Sequence, residues 1–274
     1  MHPNPPQAPP KIELPGVRHV VAVASGKGGV GKSTVAANLA LALAKSGAKV
    51  GLMDADIYGP SVPIMMGVPG MIDQNTTPLP LTRYGIKLMS IGFVVPADRA
   101  VIWRGPMVDR ALRQFLQQLD WAPLDYLVLD LPPGTGDAQL TLSQHTRLTG
   151  AVIVTTPQDV SLVDARKGLE MFREVRVPVL GIVENMSYFV GDDGKRYEIF
   201  RHGGGKRLAE AAGVPFLGDL PIDPRVAECG DQGEPIVHRY PDSPVAQAYA
   251  ALGRSVMAEL ERQAGGEELP EVQM

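Results

Sequence analysis

The chain has 274 residues, 45% of them hydrophobic, enough to bury one sizeable α/β core. A formal net charge of −4 excludes a general electrostatic attraction to nucleic acid or anionic lipid, so any such binding must be local. The single cysteine, Cys229, excludes an internal disulfide and any zinc or iron–sulfur site built from one chain's thiolates, and it suits a reducing cytoplasm.

Residues 1–16, MHPNPPQAPPKIELPG, are rich in proline and carry neither the basic start nor the apolar stretch of a secretory signal. They are expected to be a flexible lead-in to a single domain over 17–264, with a flexible tail over 265–274. No segment approaches the roughly 18 apolar residues of a spanning helix, so a soluble cytoplasmic protein without a membrane partner is expected.

Apolar runs at 20–25, 49–54, 86–93, 125–131, 151–156 and 177–185 have strand length and are hydrophobic almost throughout. Helical patterns separate them at 32–46, 106–119, 159–174 and 205–212. Buried strands alternating with helices predict a doubly wound, mostly parallel α/β sheet with helices on both faces. Glu184–Val190 and Arg196–Phe200 read as two further strands, joined by the tight turn Gly191-Asp192-Asp193-Gly194. A last helix over 243–263 places Val245, Tyr249, Leu252, Val256 and Leu260 on one stripe, and its mixed polar face favours docking on the core over a membrane surface.

Gly26-Lys27-Gly28-Gly29-Val30-Gly31-Lys32-Ser33 matches GxxxxGK[ST] directly between the first strand and the first helix. Glycines let backbone N–H groups converge on phosphate oxygens, and the helix N-terminus adds its positive end. Lys32 is predicted to reach the β- and γ-phosphates of ATP, Ser33 to ligate Mg²⁺ and Thr34 to bond the α-phosphate. Lys27 lies where a phosphate loop needs no charge; it is either solvated or aimed at another chain's nucleotide.

Asp130 ends an apolar strand before PPGTGD and is a candidate for holding Mg²⁺ through water. Asp54 and Asp56 alternate at another strand end, pointing to opposite sides, so one can face the γ-phosphate. Gly134 is predicted to offer its N–H to that phosphate. Asn185, at a strand end, can present a donor and an acceptor to an adenine edge.

The loop KGGVGKST resembles the phosphate loop of the MinD, ParA and nitrogenase iron protein class. Over about Leu14 to Glu261 the chain resembles the Mrp/ApbC family of iron–sulfur cluster carrier ATPases, on the stretches MDADIYGPSVP, VIWRGPMV, DYLVLDLPPGTGDAQLTL, ENMSYF and LGDLPIDPRV. The resemblance implies a homodimer formed through ATP, with Lys27 on the partner's nucleotide and Lys32 and Asp56 in catalysis. It further implies Asp56 orienting the attacking water, Asp54 supporting the magnesium shell, Asn185 on adenine and the loop Pro221-Ile222-Asp223 closing over the base.

The same resemblance implies a [4Fe–4S] cargo on a Cys-x-x-Cys after ENMSYF, shared across the dimer axis. Here Gly191-Asp192-Asp193-Gly194 stands in that place, and hard carboxylate oxygens are poorly matched to such a cluster. The expected function is slow ATP hydrolysis in iron–sulfur cluster assembly or transfer, serving a client apo-protein or a cluster scaffold. The alternative is a regulatory or positioning ATPase controlling a protein or nucleic-acid partner, with Lys195, Arg196, Arg201, His202, Lys206 and Arg207 as a basic patch.

Overall fold

The computed structural model describes residues 11–68, 80–94 and 105–266. The chain runs through β1 (Val17–Ser25), α1 (Lys32–Lys45), β2 (Val50–Asp54), α2 (Val62–Met65), β3 (Leu81–Arg83), β4 (Ile86–Ser90), α3 (Gly105–Gln118), β5 (Leu124–Asp130) and α4 (Asp137–His145). It continues through β6 (Gly150–Thr155), α5 (Asp159–Glu174), β7 (Val179–Glu184), β8 (Phe189–Val190), β9 (Arg196–Tyr197), α6 (Gly204–Ala212), β10 (Phe216–Asp219), α7 (Pro224–Asp231), α8 (Ile236–Arg239) and α9 (Pro244–Gly266).

Eight strands form one sheet in the order β10-β7-β6-β1-β5-β2-β4-β3, parallel throughout except for the edge pair β3 and β4. β2, β6 and the last six residues of β1 are buried without alternation, as a sheet covered on both faces requires. The chain leaves β1 towards β2 on one side and passes from β6 to β7 on the other. Right-handed crossovers in opposite directions put α1 and α5 on opposite faces, giving the doubly wound arrangement expected from the sequence.

α9 buries Val245, Tyr249, Leu252, Val256 and Leu260 and packs on α1, where Gly253 lies against Ala42. Each such side chain contributes roughly 1.5–3 kcal/mol on burial, which accounts for docking on the core. Among the described residues no helix is long and apolar enough to cross a membrane.

Four expectations need correction. The packed unit begins before Val17: Ile12 is buried, its N–H donates to His145 O (2.6 Å) and its carbonyl accepts from Arg147 N (3.0 Å). The run 86–93 is strand only to Ser90, because the Ser90 hydroxyl accepts from Gly92 N and turns residues 91–93 into a short 3₁₀ helix. The hairpin strands are short, since Met186 takes a left-handed φ of 55° and breaks the run between Glu184 and Phe189. The small elements α2, β3, α4, β10, α7 and α8 were not anticipated, being too brief for a periodicity to show. Of VIWRGPMV, residues 101–104 lie outside the described residues, as do 1–10 and 267–274.

Candidate nucleotide site and adjoining hairpin

Parallel register sets the site. Ser90, Asp54 and Asp130 are direct neighbours at the C-terminal ends of β4, β2 and β5, the edge where ligands bind in such sheets. β1 ends one strand away and its Ser25 hydroxyl donates to Lys27 O (2.8 Å), tightening the loop into α1. Gly29 and Gly31 have φ of 80° and 81°, the left-handed region that disfavours side chains. Nothing stands within 4 Å of where Gly28 or Gly29 would carry a side chain, so the loop backbone is uncovered there. Gly26 is forced by its neighbour: a side chain would run into the backbone of Asp164 on α5. Val30 is buried beneath.

The polar groups of the phosphate loop are present in a closed arrangement of side chains. Lys32 is buried, and its ammonium contacts Asp130 Oδ1 at 2.5 Å and Ser33 Oγ at 3.1 Å. Asp130 is fully buried and its Oδ2 has no hydrogen-bond partner, an orphaned acceptor that invites a cation. Burial pushes the Asp130 carboxyl up, against the pull of the Lys32 ammonium. Thr34 directs its hydroxyl to Met65 Sδ (3.8 Å), and Lys27 is half-buried.

Asp54 is fully buried and accepts from Asp56 N (3.1 Å), Val62 N (3.2 Å) and Ser90 Oγ (3.0 Å). Its carboxyl is pushed up to about 7, first by burial and then by the Asp130 charge. Thus Asp54 ties down both ends of the 54–61 loop. The opposite-sides expectation for Asp54 and Asp56 does not hold: residues two apart in a strand share a side, and β2 ends at Asp54, so the turn and not the pleat directs Asp56. Asp56 instead accepts from Gly59 N (3.3 Å) within the loop, and its charge is felt by Asp130.

Other predicted groups are engaged internally. Gly134, at φ 90°, donates its N–H to Ser25 O (2.9 Å) rather than outward. Asn185 donates its amide to Val30 O (2.8 Å), clamping the phosphate loop, and would collide with any side chain at Gly31. Asp223 caps α7 by accepting from Arg225 N (3.0 Å) and pairs with the Arg225 guanidinium (2.6 Å), which holds its carboxyl below the usual range. Pro221 is half-buried in the same loop. Structure therefore brings Lys27, Lys32, Ser33, Asp54, Asp56, Asp130, Gly134 and Asn185 to one sheet edge, with Pro221 and Asp223 beside Asn185 through Ser187 N donating to Leu220 O (2.9 Å).

The GDDG tip closes on itself. Asp193 Oδ1 accepts from Lys195 N (3.0 Å) and Oδ2 from the Tyr197 hydroxyl (2.9 Å), bonds that hold its carboxyl below the ordinary range. Cys229 is buried in α7, with its thiol pushed up by burial, and is no ligand at the hairpin. Among the described residues, no group of three His, Cys, Asp or Glu side chains is placed to hold a metal ion. The residues present do not fit an iron–sulfur cluster. In the basic patch, Lys195 forms an exposed pair with Asp193 (3.5 Å), Arg196 with Asp219 (3.2 Å) and Arg201 with Asp159 (2.7 Å).

Sequence reasoning missed Glu184, a buried carboxylate at the end of β7. It accepts from Ser187 Oγ (2.6 Å), Gly203 N (2.9 Å) and Gly205 N (2.5 Å), capping α6 from outside its own segment. The available signal was a glutamate ending an apolar strand ahead of three consecutive glycines.

A parallel sheet with a glycine loop between β1 and α1, a buried lysine behind it and two strand-end carboxylates defines a nucleotide-binding P-loop NTPase. Residues 16–257 match the family model for the NUBPL iron-transfer P-loop NTPase, and the chain belongs to that family. It is 56% identical over 247 residues to the iron–sulfur cluster carrier protein of Aquifex aeolicus, covering 88% of this chain and 68% of the relative. It is 51% identical over 259 residues to the carrier of Escherichia coli K12, covering 93% and 70%. With the iron–sulfur cluster transfer protein NUBPL of Dictyostelium discoideum it shares 49% identity over 256 residues, 92% of this chain and 79% of the relative.

Among solved structures, the nucleotide-binding protein of Archaeoglobus fulgidus in complex with ADP superposes with a TM-score of 0.72 at 40% identity, covering 85% of this chain and 91% of that one. The MinD cell division ATPase of Pyrococcus furiosus shares the fold, with a TM-score of 0.65 at 22% identity over 88% and 98% of the chains.

Proposed function

We propose that this chain is a slow, ATP-driven dimeric switch acting in iron–sulfur cluster assembly, whose cargo is held by a partner's ligands rather than by the GDDG tip. The observation that carries the ATPase reading is the buried Lys32–Asp130 pair with its orphaned Asp130 Oδ2 beneath an uncovered glycine loop. The donor set fits Mg²⁺: Ser33 and Asp130 supply hard oxygens, with Asp54 behind them. Bound there with the nucleotide, Mg²⁺ supplies neutralisation of charge on the β- and γ-phosphates.

The protein's own steps are exchanges of partners. Lys32 leaves Asp130 for the β- and γ-phosphates, and Gly134 N–H leaves Ser25 O for the γ-phosphate. Asp56 orients the attacking water, Thr34 bonds the α-phosphate, and Asn185 with the Pro221–Asp223 loop holds adenine. Lys27 reaches the nucleotide of a second copy, making the homodimer dependent on ATP. Every exchange breaks an existing internal bond, which keeps turnover slow. A buried lone Cys229 suits a reducing cytoplasm, and the client is an apo-protein or cluster scaffold.

Turnover per chain, measured together with sedimentation across a protein dilution series, tests this reading. With ATP and Mg²⁺ the specific rate should rise with protein concentration as dimer forms, and Lys27→Ala should remove that rise while still binding nucleotide. A concentration-independent rate from a monomer, or equal rates for Lys27→Ala and wild type, would count against it.

A further inference from the structure

Residues 184–189 are attached on four sides. Asn185 Nδ2 donates to Val30 O in the phosphate loop, the Glu184 carboxylate caps α6, Ser187 N and Tyr188 O bond the 220–222 loop, and Phe189 pairs with Tyr197 in the hairpin. One buried side-chain cluster joins these attachments. The Ser187 hydroxyl donates its only proton to Glu184 Oε1 (2.6 Å), so its 2.7 Å contact with His202 must be a bond donated by His202 Nδ1–H. That puts a hydrogen on His202 Nδ1 and places His202, with a side chain 35% exposed, between the buried carboxylate and solvent.

The backbone on either side is held in left-handed turns by residues other than glycine, Met186 at φ 55° and Arg201 at φ 71°. Such conformations persist only where the surroundings over-determine them, so a displacement at Asn185 is not absorbed by a soft turn. Gly31 leaves no space against the Asn185 amide, so movement of the loop at Val30 and Gly31 meets Asn185 directly. Beyond the cluster, Arg196 lies over the Tyr188 ring at 3.3 Å, and the hairpin exposes Val190, Tyr197 and Ile199 by 50%, 47% and 56%.

We propose that Ser187 and His202, anchored on Glu184, are positioning residues that transmit nucleotide occupancy of the phosphate loop to the β8–β9 hairpin. This rests on nucleotide binding at the loop and adds a route to it. The route runs through the strand end at Asn185, apart from the 54–61 and 131–137 loops, and it needs no ligand at the GDDG tip.

The test is amide exchange of residues 189–198 in the full chain, with and without Mg²⁺ and a non-hydrolysable ATP analogue, alongside mant-ATP affinity on the same samples. In wild type the analogue should change hairpin exchange by at least about threefold. Ser187→Ala and His202→Ala should lose most of that response, with mant-ATP affinity within about twofold of wild type, and Ser187→Thr, which keeps the hydroxyl, should restore it. A merely structural cluster would change exchange equally in both nucleotide states. An unchanged response in both Ser187→Ala and His202→Ala, or a wild-type hairpin indifferent to a bound analogue, would overturn the proposal. Failure of wild type to bind mant-ATP would overturn the nucleotide reading itself, and this route with it. Should Ser187→Ala not fold, His202→Ala, at a half-exposed position, decides alone.

Discussion

At the scale of single residues, the site is a set of charges buried in mutual contact. Lys32 answers Asp130 within 2.5 Å, and its removal leaves a fully buried carboxylate unpaired as well as a phosphate site without its cation. Lys32→Ala should therefore weaken mant-ATP binding by at least about a hundredfold, since each charged hydrogen bond is worth about 1.5–3 kcal/mol. Titration by fluorescence checks this, and affinity within tenfold of wild type would contradict it. Asp54 supplies a pH signature. Its folded pKa, about 7, lies above the ordinary carboxylate value, so the fold favours its protonated form. The associated stability is fully present below about pH 4 and is lost as pH rises to about 7, then stays flat. Without Mg²⁺ or nucleotide, the urea midpoint of wild type should fall more steeply between pH 5 and pH 7.5 than that of Asp54→Asn. Parallel pH slopes would show that Asp54 does not titrate in this window.

Between elements, close backbone approach decides what substitutions are tolerated. The turn after α2 meets the turn after α7 glycine to glycine, and a side chain at Gly233 would run into the backbone of Gly67. Gly213 ends α6 at a similar positive φ, 65° against 71°, yet nothing stands within 4 Å of where its side chain would begin. Gly233→Ala adds overpacking of about 1–3 kcal/mol to the backbone strain, whereas Gly213→Ala carries only the strain of about 1 kcal/mol. Denaturant melts should rank Gly233→Ala as the less stable, and the reverse order would refute the contact. The tip of the hairpin was legible as a turn from GDDG, but its lock was not, because the Asp193–Tyr197 bond depends on a hairpin register that composition does not encode. Likewise the three glycines at 203–205 could be seen in the chain, whereas their role as the receiving end of the Glu184 carboxylate required the approach of β7 to α6.

For the molecule as a whole, the family and the local chemistry point in different directions over cargo. Relatives sharing about half the sequence are named cluster carriers, while here the only cysteine is buried in α7 and one of the two hairpin carboxylates, Asp193, is spent on its own turn. Anaerobic reconstitution with iron and sulfide should leave less than stoichiometric iron per dimer and no cluster absorption. Stoichiometric iron with a visible-range spectrum would mean that ligands other than those of the hairpin serve. ATP with Mg²⁺ should raise the melting temperature by mass action, about 2.7 kcal/mol at a hundredfold excess over Kd, and the gain should vanish in Lys32→Ala. The parallel sheet, the phosphate loop, the position of Asp130 and the docking stripe of α9 were all determined by sequence alone. They depend on local patterns: unbroken apolar runs, glycine spacing and a helical period. Only the tertiary structure decided that Asp54 tethers its loop, that Asn185 clamps the phosphate loop, and that Glu184, Ser187 and His202 form one cluster. Those roles are contacts between residues far apart in the chain or on different elements, and buried polar groups take their partners from whatever the fold brings within reach.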